Sequence, residues 1–188
     1  MSEFMYAVRI PKERVPVLIG TKGSTKKQLE ADVGVSLKVD SEDGDVQIFG
    51  EDALALLAAR EIVRAIGRGF NPDVALALTK PDFALEIIDL KDYAGTKKAL
   101  IRKRGRVIGE AGKARRTIEE LTDTHISVYG KTISIIGRIE DTQAARKAVD
   151  SLLGQAAHSS VYKQLEQRRT KIRRDSALWK DEFAEDLR

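Results

Sequence analysis

Apolar and polar positions change period several times along this chain, and the same order of changes occurs twice. Met5-Tyr6-Ala7-Val8-Arg9-Ile10 alternates as far as Pro11, the period of a half-buried strand. Glu13 to Ile19 is a short apolar helical turn, with Pro16 tolerable only near its start. Gly20-Thr21-Lys22-Gly23 follows, and Ser24 is expected to cap a helix that runs to about Asp32 and closes at Gly34. Ser36–Asp40 and Val46–Phe49 are predicted strands around a Glu42-Asp43-Gly44 turn. From Asp52 to Ile66, Leu56, Ala59, Val63 and Ile66 share one face of a helix.

The stretch Gly67-Arg68-Gly69-Phe70-Asn71-Pro72 punctuates the chain, and Asp73–Leu78 reads as a short connecting helix ended by Lys80-Pro81. The pattern then restarts. Phe83–Leu90 is an apolar strand, Gly95–Lys103 a short cationic helix, Gly109-Glu110-Ala111-Gly112 a loop and Lys113–Leu121 the next helix. His125–Tyr129 and Thr132–Ile136 are strands around Gly130-Lys131, and Glu140–Leu153 closes the second half as a helix. At a constant offset of 89, Ile19-Gly20 matches Ile108-Gly109, Gly23 matches Gly112, Leu29 matches Ile118, Leu37 matches Ile126 and Val39 matches Val128. The second hairpin is two residues shorter, so Gly50 matches Gly137 at offset 87, and Ala59-Arg60 matches Ala145-Arg146 at offset 86. A duplicated domain is the expected organisation: residues 1–70, residues 71–158 and a helical extension over 159–188. In that extension Val161, Leu165 and Ile172 make a face that can pack back, and Trp179, Phe183 and Leu187 repeat every four residues.

The duplication changes what the glycines mean. With 14 glycines in 188 residues, roughly one Gly-x-x-Gly is expected by chance. Here both copies fall at the same point of the repeat, between two short helices. Such a loop lets a phosphate approach the main chain without meeting a Cβ, and the following helix adds its N-terminal N–H groups. Charge points the same way. Net charge is +4, but the stretch 91–116 alone carries 10 basic and 2 acidic side chains. Gly20, Thr21, Lys22 and Gly23 with Lys26 and Lys27 form the first candidate site. The second is Gly109, Glu110, Ala111 and Gly112, rimmed by Arg102, Lys103, Arg104, Arg106, Lys113, Arg115 and Arg116. Both suit a phosphodiester backbone.

Other chemistries are excluded or unsupported. The chain has no cysteine, hence no disulfide framework and no thiolate ligand. Neither loop fits a P-loop, because Val107 stands where glycine is required and Ala114 follows Lys113. His125, at a strand start, and His158, at a helix end, have no spacing that suggests metal or acid–base work. No catalytic residue, metal site or cofactor is expected. No apolar run approaches a membrane span and the N-terminal residues lack a signal-peptide layout, so a cytoplasmic location is the expectation.

The motifs Val17-Leu18-Ile19-Gly20-Thr21-Lys22-Gly23-Ser24 and Arg106-Val107-Ile108-Gly109-Glu110-Ala111-Gly112-Lys113 resemble the loops of type I (eukaryotic-type) KH domains. The resemblance covers about residues 5–157 and implies an α+β fold: two β-α-α-β-β-α domains, each a three-stranded antiparallel sheet packed on three helices, plus the helical tail. It also implies clamping of about four single-stranded nucleotides, with bases in an aliphatic groove. With 5% aromatic residues and Leu37, Val39, Ile126 and Val128 on the candidate central strands, a sheet-stacking RRM is disfavoured. Asp92-Tyr93-Ala94-Gly95, Lys98-Ala99-Leu100-Ile101-Arg102, Arg115-Arg116-Thr117-Ile118-Glu119-Glu120-Leu121-Thr122 and Ile126-Ser127-Val128-Tyr129-Gly130-Lys131-Thr132 are similar to the tandem-KH ribosomal-RNA-processing proteins of the partner-of-Nob type, in their short archaeal form. That similarity implies binding near the 3′ end of small-subunit ribosomal RNA during ribosome maturation. It further implies contact with a Nob-type endonuclease and with the alpha subunit of translation initiation factor two.

Glu110 has the wrong sign for a phosphate loop, and would repel a phosphate by about 1 kcal/mol in partly screened water. Three readings are open. The basic rim outweighs it, or it accepts a hydrogen bond from a base or partner, or this loop serves protein contact while the first holds RNA. The expected function is single-stranded RNA binding without catalysis. The alternative is a protein–protein adaptor built on KH folds, linking a processing nuclease or initiation factor to the ribosome.

Overall fold

Each half of the repeat builds a three-stranded antiparallel sheet with helices on one face. The computed structural model describes the backbone of residues 4–185 and the side chains of residues 5–177. The first unit runs β1 (Phe4–Arg9), α1 (Val15–Ile19), α2 (Ser24–Val33), β2 (Ser36–Val39), β3 (Asp45–Gly50) and α3 (Ala53–Gly67). A connector with the short helix α4 (Pro72–Ala75) leads to β4 (Phe83–Asp89), α5 (Lys97–Ile108), α6 (Lys113–Thr122), β5 (His125–Tyr129), β6 (Thr132–Arg138) and α7 (Ile139–Leu153). The strand orders β1-β3-β2 and β4-β6-β5 are the same arrangement twice. Register agrees as well: Leu37 pairs with Ile48 and Ile126 with Ile135, so equivalent apolar side chains point at equivalent helices.

Local chemistry sets the helix limits. Asp52 caps α3 by accepting from the N–H groups of Leu54 and Ala55, and Thr96 caps α5 by accepting from Ala99 at 3.2 Å. Ser24 is the first residue of α2, and the expected capping position belongs to Gly23, which offers no side chain. α5 also runs further than its sequence suggests. It passes through Gly105, at an exposed position, and ends only at Gly109. Anchors beyond that glycine hold the last turn, as described below.

The sheets differ in what covers their second face. β3 alternates buried and less buried residues, as a strand with one solvated face should. β6 is buried from Thr132 to Gly137. Ile133 and Ile135 belong to the second core, whereas Ile136 joins the first unit's core with Phe70 and Leu78, and Phe83 and Leu85 of β4 pack beside it. The sheet of the second unit is therefore sandwiched between its own helices and the first unit. Polar contacts close the seam. Ser127 Oγ donates to the Arg68 carbonyl at 2.9 Å, and Tyr129 OH donates to Glu13 Oε1 at 2.5 Å, with the Arg14 guanidinium 5.9 Å from the Tyr129 ring. Gly69, at φ +99°, lets the chain pass there: a Cβ would lie 2.6 Å from Ser127 Oγ. The packing of one unit on the other follows from the short connection.

The helix α8 (His158–Glu185) follows α7 closely. Val161 and Leu165 are buried in the second core, and Arg168 pairs with Asp141 at 2.8 Å. Ile172, expected on the same docked face, is 43% exposed and lines an open cleft with Leu121 and Thr122 at the C-terminal end of α6. The side chains of Trp179, Phe183 and Leu187 lie outside the described residues.

Candidate nucleic-acid interface

The two glycine loops have one conformation. Gly20 and Gly109 both have φ 72° and ψ 178°, Lys22 and Ala111 have φ/ψ of 52°/29° and 50°/27°, and Gly23 and Gly112 have 78°/15° and 77°/12°. Three of four residues thus have positive φ, the third of them not a glycine, so each loop holds a left-handed turn that costs backbone energy. The two glycines of a loop serve different ends. A Cβ on Gly109 would stand 2.6 Å from Ala114 Cβ and 2.8 Å from its nitrogen, and one on Gly20 would stand 2.8 Å from the Thr25 nitrogen. Nothing lies within 4 Å of where a Cβ would sit on Gly23 or Gly112. The first glycine seats the loop on its helix; the second keeps the outer surface bare.

That bare surface opens onto a helix start. Neither α2 nor α6 has a side-chain cap at its N-terminus, so the positive end of each ten-residue helix faces the loop. Thr21, Lys22, Glu110 and Ala111 are all exposed at the rim. Beside the first loop lies a groove of about 310 Å³ lined by Val15, Pro16, Ile19, Gly20, Ser41 and Lys12, the aliphatic surface expected next to a KH loop.

The cations divide into three groups. Lys22, Lys27, Arg102 and Lys113 are exposed, and Arg104 is half-buried. Lys26 and Arg115 occupy matching places: Lys26 lies 3.8 Å from Glu30 and Arg115 3.7 Å from Glu119. Each glutamate in turn accepts from an edge-strand N–H, Leu37 and Ile126 respectively, both at 2.7 Å. These pairs tie the helix after the loop to the neighbouring strand. Arg116 braces its own loop by donating to the Ala111 carbonyl at 2.8 Å.

Lys103 and Arg106 do not belong to the rim. Lys103 is buried, and its ammonium donates to the Leu153 carbonyl. Arg106 donates to the Leu152 carbonyl at 2.9 Å and the Ala156 carbonyl at 2.6 Å. Both close the C-terminus of α7, where unpaired carbonyls attract cations. The expectation that all seven cations of 102–116 face a ligand is corrected accordingly. The missed signal was periodicity: on a helix that continues to Ile108, Lys103 and Arg106 share the face of Val107 and Leu100.

Glu110 makes no ion pair among the described residues and stays exposed. His158 starts α8, and its Nε2–H donates to the Arg106 carbonyl at 2.8 Å, a structural bond. Among the described residues no cluster of His, Cys, Asp or Glu could hold a metal ion. No described helix is long and apolar enough to cross a membrane.

Fold and loops define the class: a protein of two type I KH domains. A model of the eukaryotic-type KH domain (KH-domain type I), that of the second PNO1 domain, matches residues 84–170, and the general KH-domain model matches residues 6–65. A KH domain-containing protein of Methanocaldococcus jannaschii is 51% identical over 178 residues, covering 92% of this chain and 78% of that protein. The chain belongs to the archaeal Dim2/PNO1 family. A pre-rRNA-processing protein PNO1 of Chaetomium thermophilum is 35% identical over 114 residues, 59% of this chain but only 44% of that longer protein. Among solved structures, the a/eIF2alpha–aDim2p–rRNA complex of Pyrococcus horikoshii contains a chain that superposes with a TM-score of 0.84 at 44% identity, covering 90% of this chain and 96% of that one.

Proposed function

We propose that this protein binds single-stranded RNA of the small ribosomal subunit, near its 3′ end, and acts without catalysis in pre-rRNA processing in the cytoplasm. The observation that carries the reading is the pair of superposable glycine turns, each opening an uncapped helix, the first of them beside an aliphatic groove. Main-chain donors hold the phosphates. Thr21 and Lys22 with Lys27 serve the first loop; Ala111 and Glu110, flanked by Arg102, Arg104, Lys113 and Arg116, serve the second. Lys26 and Arg115 act on RNA through the helix–strand ties they make. The PNO1 relative named for pre-rRNA processing and the structural relative bound to ribosomal RNA support this assignment. The latter also supports the alpha subunit of translation initiation factor two as a partner, and family membership extends the reading to a Nob-type endonuclease.

Gly23→Asp and Gly112→Asp test the mechanism, since each places a carboxylate where a phosphate would lie and meets no neighbouring atom. Each variant is expected to weaken a short single-stranded RNA at least about tenfold, the effect of roughly 1.4 kcal/mol, while melting cooperatively. A slope of log affinity on log salt near about −3 or steeper is expected from several phosphate contacts. Unchanged affinity in both variants would leave the adaptor reading in its place.

A further inference from the structure

A cleft of about 680 Å³ lies between the free edge of β1 and the C-terminal half of α3. Arg60, Arg64 and Arg68 line one wall at intervals of four residues, and Arg9 and Lys12 stand on the other. The one acid on the lining, Asp43, lies 3.7 Å from Arg9. Lys12 also lines the groove beside Gly20, so cleft and groove meet at that residue.

The repeat shows that the fold does not require these charges. The β-pairings match Arg9 with Asp89 and Tyr6 with Glu86, because Arg9 faces Asp45 as Asp89 faces Thr132. At the offset of 86 that relates α3 to α7, Arg60, Arg64 and Arg68 correspond to Arg146, Asp150 and Gly154. In the second domain Arg146 is neutralised by Glu86 at 2.5 Å and Asp150 at 3.8 Å. In the first, Arg60 sits 5.3 Å from the Tyr6 ring, and Glu61 alone serves both Arg60 and Arg64, at 3.0 and 2.9 Å. Neither Lys12 nor Arg68 has a side-chain partner among the described residues. One surface of the same fold thus carries more acids than bases in one copy, Glu86, Asp89 and Asp150 around Arg146, and more bases than acids in the other, where Arg9, Lys12, Arg60, Arg64 and Arg68 outnumber Asp43, Asp45 and Glu61.

We infer that RNA held at the first glycine loop continues past Lys12 into this cleft, where Arg60, Arg64 and Arg68 take successive backbone phosphates. Arginines four apart on a helix advance by about 6 Å per step, which lays their guanidinium groups out along an extended strand. Guanidinium forks bind phosphate bidentately, and the Tyr6 ring beside Arg60 offers a face for a base. The first domain's footprint then exceeds the roughly four nucleotides of a KH loop. This rests on RNA binding at the first loop.

The test uses the full chain and fluorescent RNAs of about five and about twelve nucleotides from the 3′ end of small-subunit ribosomal RNA, compared with the loop's own reach. The wild type is expected to bind the longer RNA at least about tenfold tighter. The combined Arg60→Gln, Arg64→Gln, Arg68→Gln variant should lose most of that gain, keep its affinity for the short RNA, and show a salt slope shallower by about 0.7 for each phosphate it no longer neutralises. Lys12→Gln, which breaks no hydrogen bond or ion pair among the described residues, should lose part of the gain in the same direction. A retained gain and slope in both variants overturns the inference. So does an equal loss from Arg138→Gln with Lys147→Gln in the second domain, or a cleft that binds polyglutamate while the RNA gain survives its neutralisation. Gly23→Asp separates the two readings: no effect on the short RNA refutes the loop, whereas loss of short-RNA binding with an intact length gain in the cleft variants refutes the cleft alone.

Discussion

In the first domain Arg14 reaches the carbonyls of Ile66 and Phe70; in the second Arg106 reaches those of Leu152 and Ala156. The accepting pairs are equivalent, at the helix offset of 86, but the donors are not. The repeat partner of Arg14 is Lys103, and that of Arg106 is Val17. A cation at the end of the last helix is needed by the fold, and either turn of the preceding helix can supply it. Where α1 is a five-residue stub the residue before it serves, and where α5 has 12 residues its final turn serves while Lys103 takes a further carbonyl. Charge in the second copy thus serves architecture in part. In the first copy, whose net charge over residues 1–70 is nearly zero, half-buried Arg60 and Arg64 of α3 and exposed Arg68 just beyond it are left for other work.

The sharpest way to break the equivalence of the two loops is to fill the first glycine of one of them. Gly109→Ala forces a Cβ to within 2.6 Å of Ala114 Cβ, at a φ of 72°. A loss of about 3 kcal/mol or more is expected, read by urea denaturation. Gly20→Ala should behave alike. Gly112→Ala adds only left-handed strain in open space and should cost about 1 kcal/mol. Equal costs for Gly109→Ala and Gly112→Ala would show that conformation alone, without the packing of loop on helix, decides these positions.

Next in size is the clamp. Arg106→Ala leaves two carbonyls of the α7 terminus without their guanidinium and should destabilise by about 2 kcal/mol. Arg14→Ala should cost about the same, with a second consequence absent from the other domain: Arg14 also covers the Tyr129 ring, so the seam between domains loosens. Protease cleavage in the connector around Gly69 is expected to quicken in Arg14→Ala but not in Arg106→Ala. Equal cleavage in both would dissociate the clamp from the seam.

These comparisons also mark what could be read from residues in order. The repeat, the loops and the order of the elements were legible because local period and glycine spacing encode them. The end of α5 was not, because Gly105 reads as a helix breaker until Lys103 and Arg106 are seen to be held by α7, 46 to 50 residues away. The run Thr132–Ile136 alternates hydroxyl and apolar residues as far as Ile135, the pattern of a strand with one solvated face, so the cover that the first unit gives it cannot be read from it. The cleft was hidden by summation: acids on the hairpin and at Glu61 cancel the arginines of α3 in the net charge, whereas the fold sets Arg64 and Arg68 on one wall. Sequence charge locates a patch only where neighbours in the chain are also neighbours in space.

The smallest expected effect distinguishes the seam itself. Tyr129 OH donates to Glu13 at 2.5 Å, and this bond, with the backbone's help, holds the Glu13 carboxyl below its ordinary 4.5. Burial first, and then the same bond, raises the Tyr129 hydroxyl above its ordinary 10.0. The unfolded chain therefore binds the Glu13 proton more tightly than the folded one. The stabilisation is complete above about pH 4.5 and is lost as pH falls through the lowered folded value. For Tyr129 the folded state keeps its proton longer, so that contribution persists through neutral pH and disappears as pH rises through the raised value. Tyr129→Phe removes both. Its deficit against the wild type in urea midpoint should be constant from about pH 5 to about pH 9 and should narrow at about pH 3, where Glu13 is protonated in either protein. Glu13→Gln should flatten the acid limb and weaken the alkaline one in part, since burial still raises Tyr129 without the carboxylate. A deficit that is unchanged at low pH would assign the contribution of Tyr129 to its ring beneath Arg14, and the seam would then be held by packing and not by the hydrogen bond.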